Sequence, residues 1–162
     1  MTNLDPTAFL EGLFAALLRD GIDAARFELD HVCYRVATAE RYAAMKHALG
    51  SEGILLGEHL IGGRPIATYR LDKPYQFRNR TITVLELPSP KPGSAYLEGF
   101  EHAEFVVDED PRSFASHYPS LAWDFTGSDK PKNADVRLNY DGFSVKFHQR
   151  SLADVITEEQ KS

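Results

Sequence analysis

The sequence predicts an α+β fold. Along its 162 residues the order is a helix, β-α-β-β-β, a connector, a second β-α-β-β-β and a closing helix. Three observations predict it. Short runs of period two alternate with segments of helical spacing, in the same order twice. A three-proline stretch, "LPSPKPG" from Leu87 to Gly93, separates the two series. A histidine falls in the first strand of each series, His31 and His102, so halves that share little sequence repeat as architecture.

The first helix is expected to start at Asp5-Pro6, with Asp5 as N-cap and Pro6 in the first turn. Phe9, Leu10, Leu13, Phe14 and Leu17 form its apolar stripe, and Gly21 stops it. A strand follows from about Phe27. Thr38 caps a second helix, "AERYAAMKHAL", with Tyr42, Met45 and Leu49 inward and Gly50 as its break. "GILLGEHLI", "RPIATYRL" and "RTITVLEL" read as three strands, the first two joined by a turn at Gly62-Gly63. Past the connector, "FEHAEFVV" is a strand and "DPRSFASHYP" a helix start. "LAWDF", "DVRLNY" and "FSVKFHQ" are three further strands. "SLADVITEEQ" is a helix with Ser151 and Asp154 as capping box, and "TEEQKS" a fraying tail. The expected organisation is one domain over 1–162: N-terminal helix 1–24, first module 25–90, second module 91–150 and C-terminal helix 151–162.

Composition narrows the function classes. The net charge of −6 argues against general nucleic-acid binding, which needs clustered Lys and Arg. No apolar run approaches the ~20 residues of a membrane span. "MTNLDPTAFLEGL" lacks a basic n-region and a small-residue cleavage site, so no secretory signal is expected. The single cysteine, Cys33, excludes an internal disulfide and a Cys-cluster zinc site. A reducing cytoplasm is the simplest expected compartment.

Chemistry is sought where polar groups interrupt apolar strand faces. In "LDHVCYRVAT", Val32, Tyr34 and Val36 alternate with His31, Cys33 and Arg35. Glu86 shares a face with Ile82 and Val84, His102 with Glu104 and Val106, and Lys146 with His148. These are the first and last strands of each half. A buried carboxylate is costly unless it is paired or holds a metal, and two neutral imidazoles with one carboxylate suit a divalent transition ion. No local spacing motif supports a metal, so any ligands would converge only through the fold.

The repeated order, with "DHVCYRV", "IGGRPI", "TVLELPSP", "GFEHAEFVV" and "VKFHQRSLADVI", resembles the vicinal oxygen chelate superfamily. That group includes glyoxalase I, extradiol dioxygenases and antibiotic-resistance proteins. More narrowly it resembles the bacterial YecM family, from about Phe27 to Glu159. The resemblance implies two modules of mixed, curved sheet around one open cavity, with a divalent metal (zinc, iron, manganese or nickel) at its base. Carried over position by position, the ligands are His31, Glu86 and His102. The fourth position, usually an acid, falls on Lys146, a departure, because a protonated lysine repels a cation. His148 lies on the same face about 6.6 Å further along the strand.

Other polar groups have simpler readings beside functional ones. Arg35, Arg64 and Arg70 offer donor forks for a substrate carboxylate or phosphate, or are solvated strand-end arginines. Glu86 could pair with Arg35 or Lys146 instead of a metal. Tyr69 and Tyr140 are assigned to packing, Cys33 to a small buried hydrophobe, and His47 and His117 to the surface; His59 is unassigned. The acidic run "VDEDP" caps a helix start.

Two functions follow. One is a metal-dependent isomerase, lyase or dioxygenase acting on a small, anionic, oxygen-bearing molecule, with Glu104 or His148 moving the proton. The other is a metal-free module that binds or sequesters a small molecule through Lys146 and the arginines. Both modules lie in one chain, so the cavity requires no partner subunit; monomer and homodimer stay open.

Overall fold

The computed structural model describes residues 1–161. Among the described residues, four α-helices, seven strands and a short 3-10 helix (Ala24–Arg26) fall into two compact units. The first comprises Met1–Pro6 and His31–Glu101; the second comprises Thr7–Asp30 and the chain from His102 on. These boundaries differ from the module limits read in the sequence. Helix α1 (Thr7–Arg19) belongs with the second unit, and the connector with the first.

In the first unit, β1 (Glu28–Arg35) leads to α2 (Ala39–Leu49), then β2 (Gly53–Ile61), β3 (Arg64–Phe77) and β4 (Arg80–Pro88). Thr38 caps α2 by accepting from the Arg41 amide, and Tyr42, Met45 and Leu49 are buried, as the stripe predicts. The strand order is β2-β3-β4-β1, antiparallel except where β1 runs parallel to β4. Gly62 and Gly63 make the β2–β3 turn at φ 62° and 80°, a left-handed pair that glycine adopts without a Cβ clash. β3 outruns its expected end at Leu71. The chain passes Pro74 in a register shift between Arg70 and Tyr75, then pairs again as Tyr75↔Ile82. A bulge tolerates the missing proline N–H, which a continuous ladder would not.

In the second unit, β5 (Gly99–Val106) is followed by α3 (Pro111–Ser116), β6 (Asp135–Asn139), β7 (Ser144–His148) and α4 (Leu152–Lys161). Asp110 caps α3 through the amides of Arg112 and Ser113, and Ser151 accepts from the Asp154 amide at the start of α4. β5 runs parallel to β7, and β7 antiparallel to β6. The first and last strands of each module therefore lie side by side. "LAWDF" is reduced to one bridge, Asp124↔Arg137. Turn chemistry holds the rest: the Trp123 indole donates to the Tyr118 carbonyl, and the Asp124 carboxylate accepts from the Thr126 amide. Phe105, Phe114, Trp123 and Phe147 form an aromatic core, which Phe14 of α1 joins edge-on against Phe105. α4 continues as helix through Lys161; Ser162, the last residue of the expected tail, lies outside the described residues.

Candidate functional site

Because β1 and β4 are parallel neighbours with Cys33 opposite Glu86, the face of His31, Cys33 and Arg35 is also the Glu86 face. His31 is fully buried. Its Nε2 lies 3.8 Å from Glu86 Oε2, whose side chain keeps 13% exposure. Cys33 is buried. The opposite face of the same strands carries Val32, Leu85 and Leu87, with Tyr69 of β3 beside Leu85, and the Tyr69 hydroxyl donates to the Lys46 carbonyl on α2. Pleat alternation thus separates a helix-packed face from a polar one.

The arginines differ among themselves. Arg35 pairs with Glu101 at 2.9 Å, and its guanidinium lies 4.3 Å from the Tyr96 ring centre. Arg64 donates to the Ser89 carbonyl at 3.1 Å. A hydrogen bond from Ser94, with the nearby charges of Arg64, Arg35 and Lys91, holds the Tyr96 phenol below its ordinary range. Arg70 stands opposite Val84, on the Glu86 face, and is exposed.

The second unit places its groups in a chain. His102 Nε2 lies 3.2 Å from Glu104 Oε2, Glu104 Oε1 lies 3.3 Å from His148 Nδ1, and His148 Nε2 lies 3.2 Å from Asp30 Oδ2. Asp30 Oδ2 also accepts from the Leu152 amide at 2.9 Å, the first residue of α4, where the helix dipole favours an anion. All four side chains are buried. Burial opposes charge on His148, but hydrogen bonds and attraction from Asp30 and Glu104 outweigh it and push its pKa up to about 9. An imidazolium whose two nitrogens face two carboxylates has no lone pair to accept a proton or bind a cation. His148, read from the sequence as one of two groups that could move the proton, lies between these two carboxylates. Lys146 stands opposite Glu104 in the β5–β7 register and is half-buried.

Sequence reasoning missed Asp30. Alternation put it on the core side with Val32, where a carboxylate needs a partner. That was the available signal, but nothing local names His148 as the partner. The surface assignments of His47 and His117 agree with their exposure, and His117 meets Glu109 at 2.9 Å. Tyr140 does more than pack: its hydroxyl donates to Asp20 at 2.6 Å.

Two modules of strand, helix and further strands, each with its first and last strands as parallel neighbours, have the fold of the vicinal oxygen chelate superfamily. Methylmalonyl-CoA epimerase of Streptomyces coelicolor, solved with 2-nitronate-propionyl-CoA, shares it at a TM-score of 0.53, over 76% of this chain and 97% of that one. At 11% identity that likeness concerns the fold alone. The chain belongs to the YecM family, described as YecM protein, which matches residues 2–159. Protein YecM of Escherichia coli K12 is 29% identical over 98% of this chain and 92% of its own length. A solved structural-genomics structure, Protein EC4020, is 27% identical with a TM-score of 0.80, over 94% of this chain and 88% of that one. Among the described residues, no helix is long and apolar enough to cross a membrane.

Proposed function

We propose that this protein is a divalent-metal-dependent enzyme of isomerase, lyase or dioxygenase type, acting on a small, anionic, oxygen-bearing metabolite. His31, Glu86 and His102 are its metal ligands. The observation that carries the reading is a buried histidine beside a carboxylate in each unit, His31 with Glu86 of the neighbouring strand and His102 with Glu104 of its own strand. The donor set of two imidazoles and one carboxylate fits zinc, iron, manganese or nickel and leaves positions for a substrate. Such an ion, when bound, supplies Lewis-acid polarisation of substrate oxygens.

The chain's own groups would do the rest. Glu104, which faces His102 at one oxygen and His148 at the other, handles the substrate proton. Arg35, Arg64, Arg70 and Lys146 bind the anionic end of the substrate.

The test is metal analysis by plasma mass spectrometry on protein purified without chelator. Near one equivalent of a divalent metal is expected, lost in His31→Ala, Glu86→Ala and His102→Ala. No uptake after incubation with zinc, iron, manganese and nickel would overturn the proposal and favour a metal-free binding protein using Lys146 and the arginines.

A further inference from the structure

We infer that β2 is a dimerisation strand: two copies of this chain pair antiparallel through their β2 strands, about a two-fold axis at Glu58. Metal binding plays no part in it, and all the residues involved belong to the first unit. β2 ends the strand order, and among the described residues its ladder runs to β3 only. An outermost strand offers backbone donors and acceptors to any strand that approaches, and proteins blunt it with charge, short length or a covering segment. β6, the outer strand of the second unit, is blunted: it has five residues, and Asp124 bridges to its Arg137 from outside the strand. β2 runs for nine residues, and its Ile54, Leu55, Leu60 and Ile61 are between 47% and 78% exposed. Its one acidic side chain, Glu58, is turned onto α2, where it pairs with Lys46 Nζ at 2.7 Å and accepts from the Tyr42 hydroxyl.

What meets this edge follows from the register. Opposed residues of an antiparallel pair point to the same face, and in a two-fold pair the axial residue meets its own copy. The β3 ladder assigns the faces. Leu55, Glu58 and Leu60 stand opposite Tyr69, Ala67 and Pro65, on the α2 face; Ile54, Gly57, His59 and Ile61 stand opposite Arg70, Thr68, Ile66 and Arg64, on the other. Leu56 is extra in this ladder, a bulge between Leu55 and Gly57. With Leu56 out of the count, Leu55 and Leu60 lie two ladder positions either side of Glu58, and Ile54 and Ile61 lie three. An axis at Glu58 therefore sets Leu55 against Leu60 of the second copy and Ile54 against Ile61 of the second copy, with every face matched. An axis at Gly57 would set Leu55 against Glu58. The bulge is what makes the edge complementary to itself. Charge agrees: two Glu58 carboxylates alone would repel, but each brings its own Lys46, so the axis gathers two charges of each sign. A strand pair by itself is thin, and α2 adds a second layer, since Tyr42, Ala43, Lys46 and His47 line a groove beside Glu58.

The test is sedimentation velocity of the full chain across micromolar concentrations. Wild type should show a monomer–dimer equilibrium that moves toward dimer as concentration rises. Leu60→Lys should weaken the dissociation constant by roughly 100-fold or more and leave the circular dichroism spectrum unchanged, because the side chain is exposed in the single chain. Ile61→Lys serves in its place if Leu60→Lys does not fold. A short bismaleimide then reads the register. Leu55→Cys and Leu60→Cys chains should cross-link when mixed, and Leu60→Cys alone should not, because two copies of Leu60 stand apart along the strands; Cys33 is buried and does not compete. A wild type that stays monomeric throughout overturns the inference. So does a dimer indifferent to both lysine variants, and so does cross-linking of Leu60→Cys with itself in place of the mixed pair.

Discussion

His31 and His102 hold the same place in two repeats, yet their surroundings differ. His31 is entirely buried and lies 3.8 Å from a carboxylate that still reaches solvent. His102 touches a carboxylate locked at its other oxygen by His148, with Asp30 and the start of α4 behind it. Repetition of the fold reproduced the parallel neighbours β1–β4 and β5–β7, which put a polar group on each adjacent strand. It did not reproduce the support behind them. Module repetition fixes where a side chain starts; the residues packed behind it fix its protonation and orientation.

The comparison can be broken by removing the support on one side. His148→Ala leaves the Asp30 and Glu104 carboxylates buried without their counter-charge. It should cost about 3–5 kcal/mol in urea unfolding near pH 7. Glu86→Gln, on the solvent-reaching pair, should cost about 1 kcal/mol or less. Equal costs would mean that the two histidines stand in equivalent surroundings.

Titration should give the next largest difference. The His148 pKa is about 9 in the folded chain, above the ordinary 6.5 of histidine. A raised folded-state pKa means that the folded chain holds the proton longer. The stabilisation is whole below about pH 6.5 and is lost as pH rises through about 9. On the order of 3 kcal/mol should disappear between pH 6 and pH 10, read from urea midpoints, and His148→Gln should flatten that slope. A flat wild-type profile would show that the ring is not held charged.

Smaller effects sharpen the picture of the first unit. A Cβ at Gly53 would collide with the Arg70 carbonyl across the β2–β3 pair, where backbone cannot yield cheaply. Gly53→Ala should therefore cost about 1–3 kcal/mol in thermal unfolding and leave the His148 pH slope unchanged. Lys46→Ala removes a half-exposed pair with Glu58 at 2.7 Å and should cost less than about 1 kcal/mol in the same assay.

Much of this protein was settled by sequence alone. Period and punctuation placed α1, α2, β2, β4 and α4 within a residue or two, because apolar spacing, the Thr38 and Ser151 caps and the Gly62-Gly63 turn act locally. Alternation also put His31, Glu86, His102 and Glu104 on polar strand faces. Two runs misled. "LAWDF" has strand composition, but side-chain bonds from Trp123 and Asp124 made it a turn. "RPIATYRL" read as a strand ending at Leu71, but a bulge carried β3 on past Pro74.

Tertiary structure decided what no local pattern contains. α1 joins the second unit because Phe14 finds Phe105, and Tyr140 finds Asp20, far along the chain. Asp30 became a counter-ion because the fold delivered His148 to it and aimed the first amide of α4 at the same oxygen. Secondary structure follows from interactions within a few residues, so sequence reports it. The protonation state of a buried ring depends on which charges the completed fold brings within about 4 Å, where a low dielectric magnifies each one.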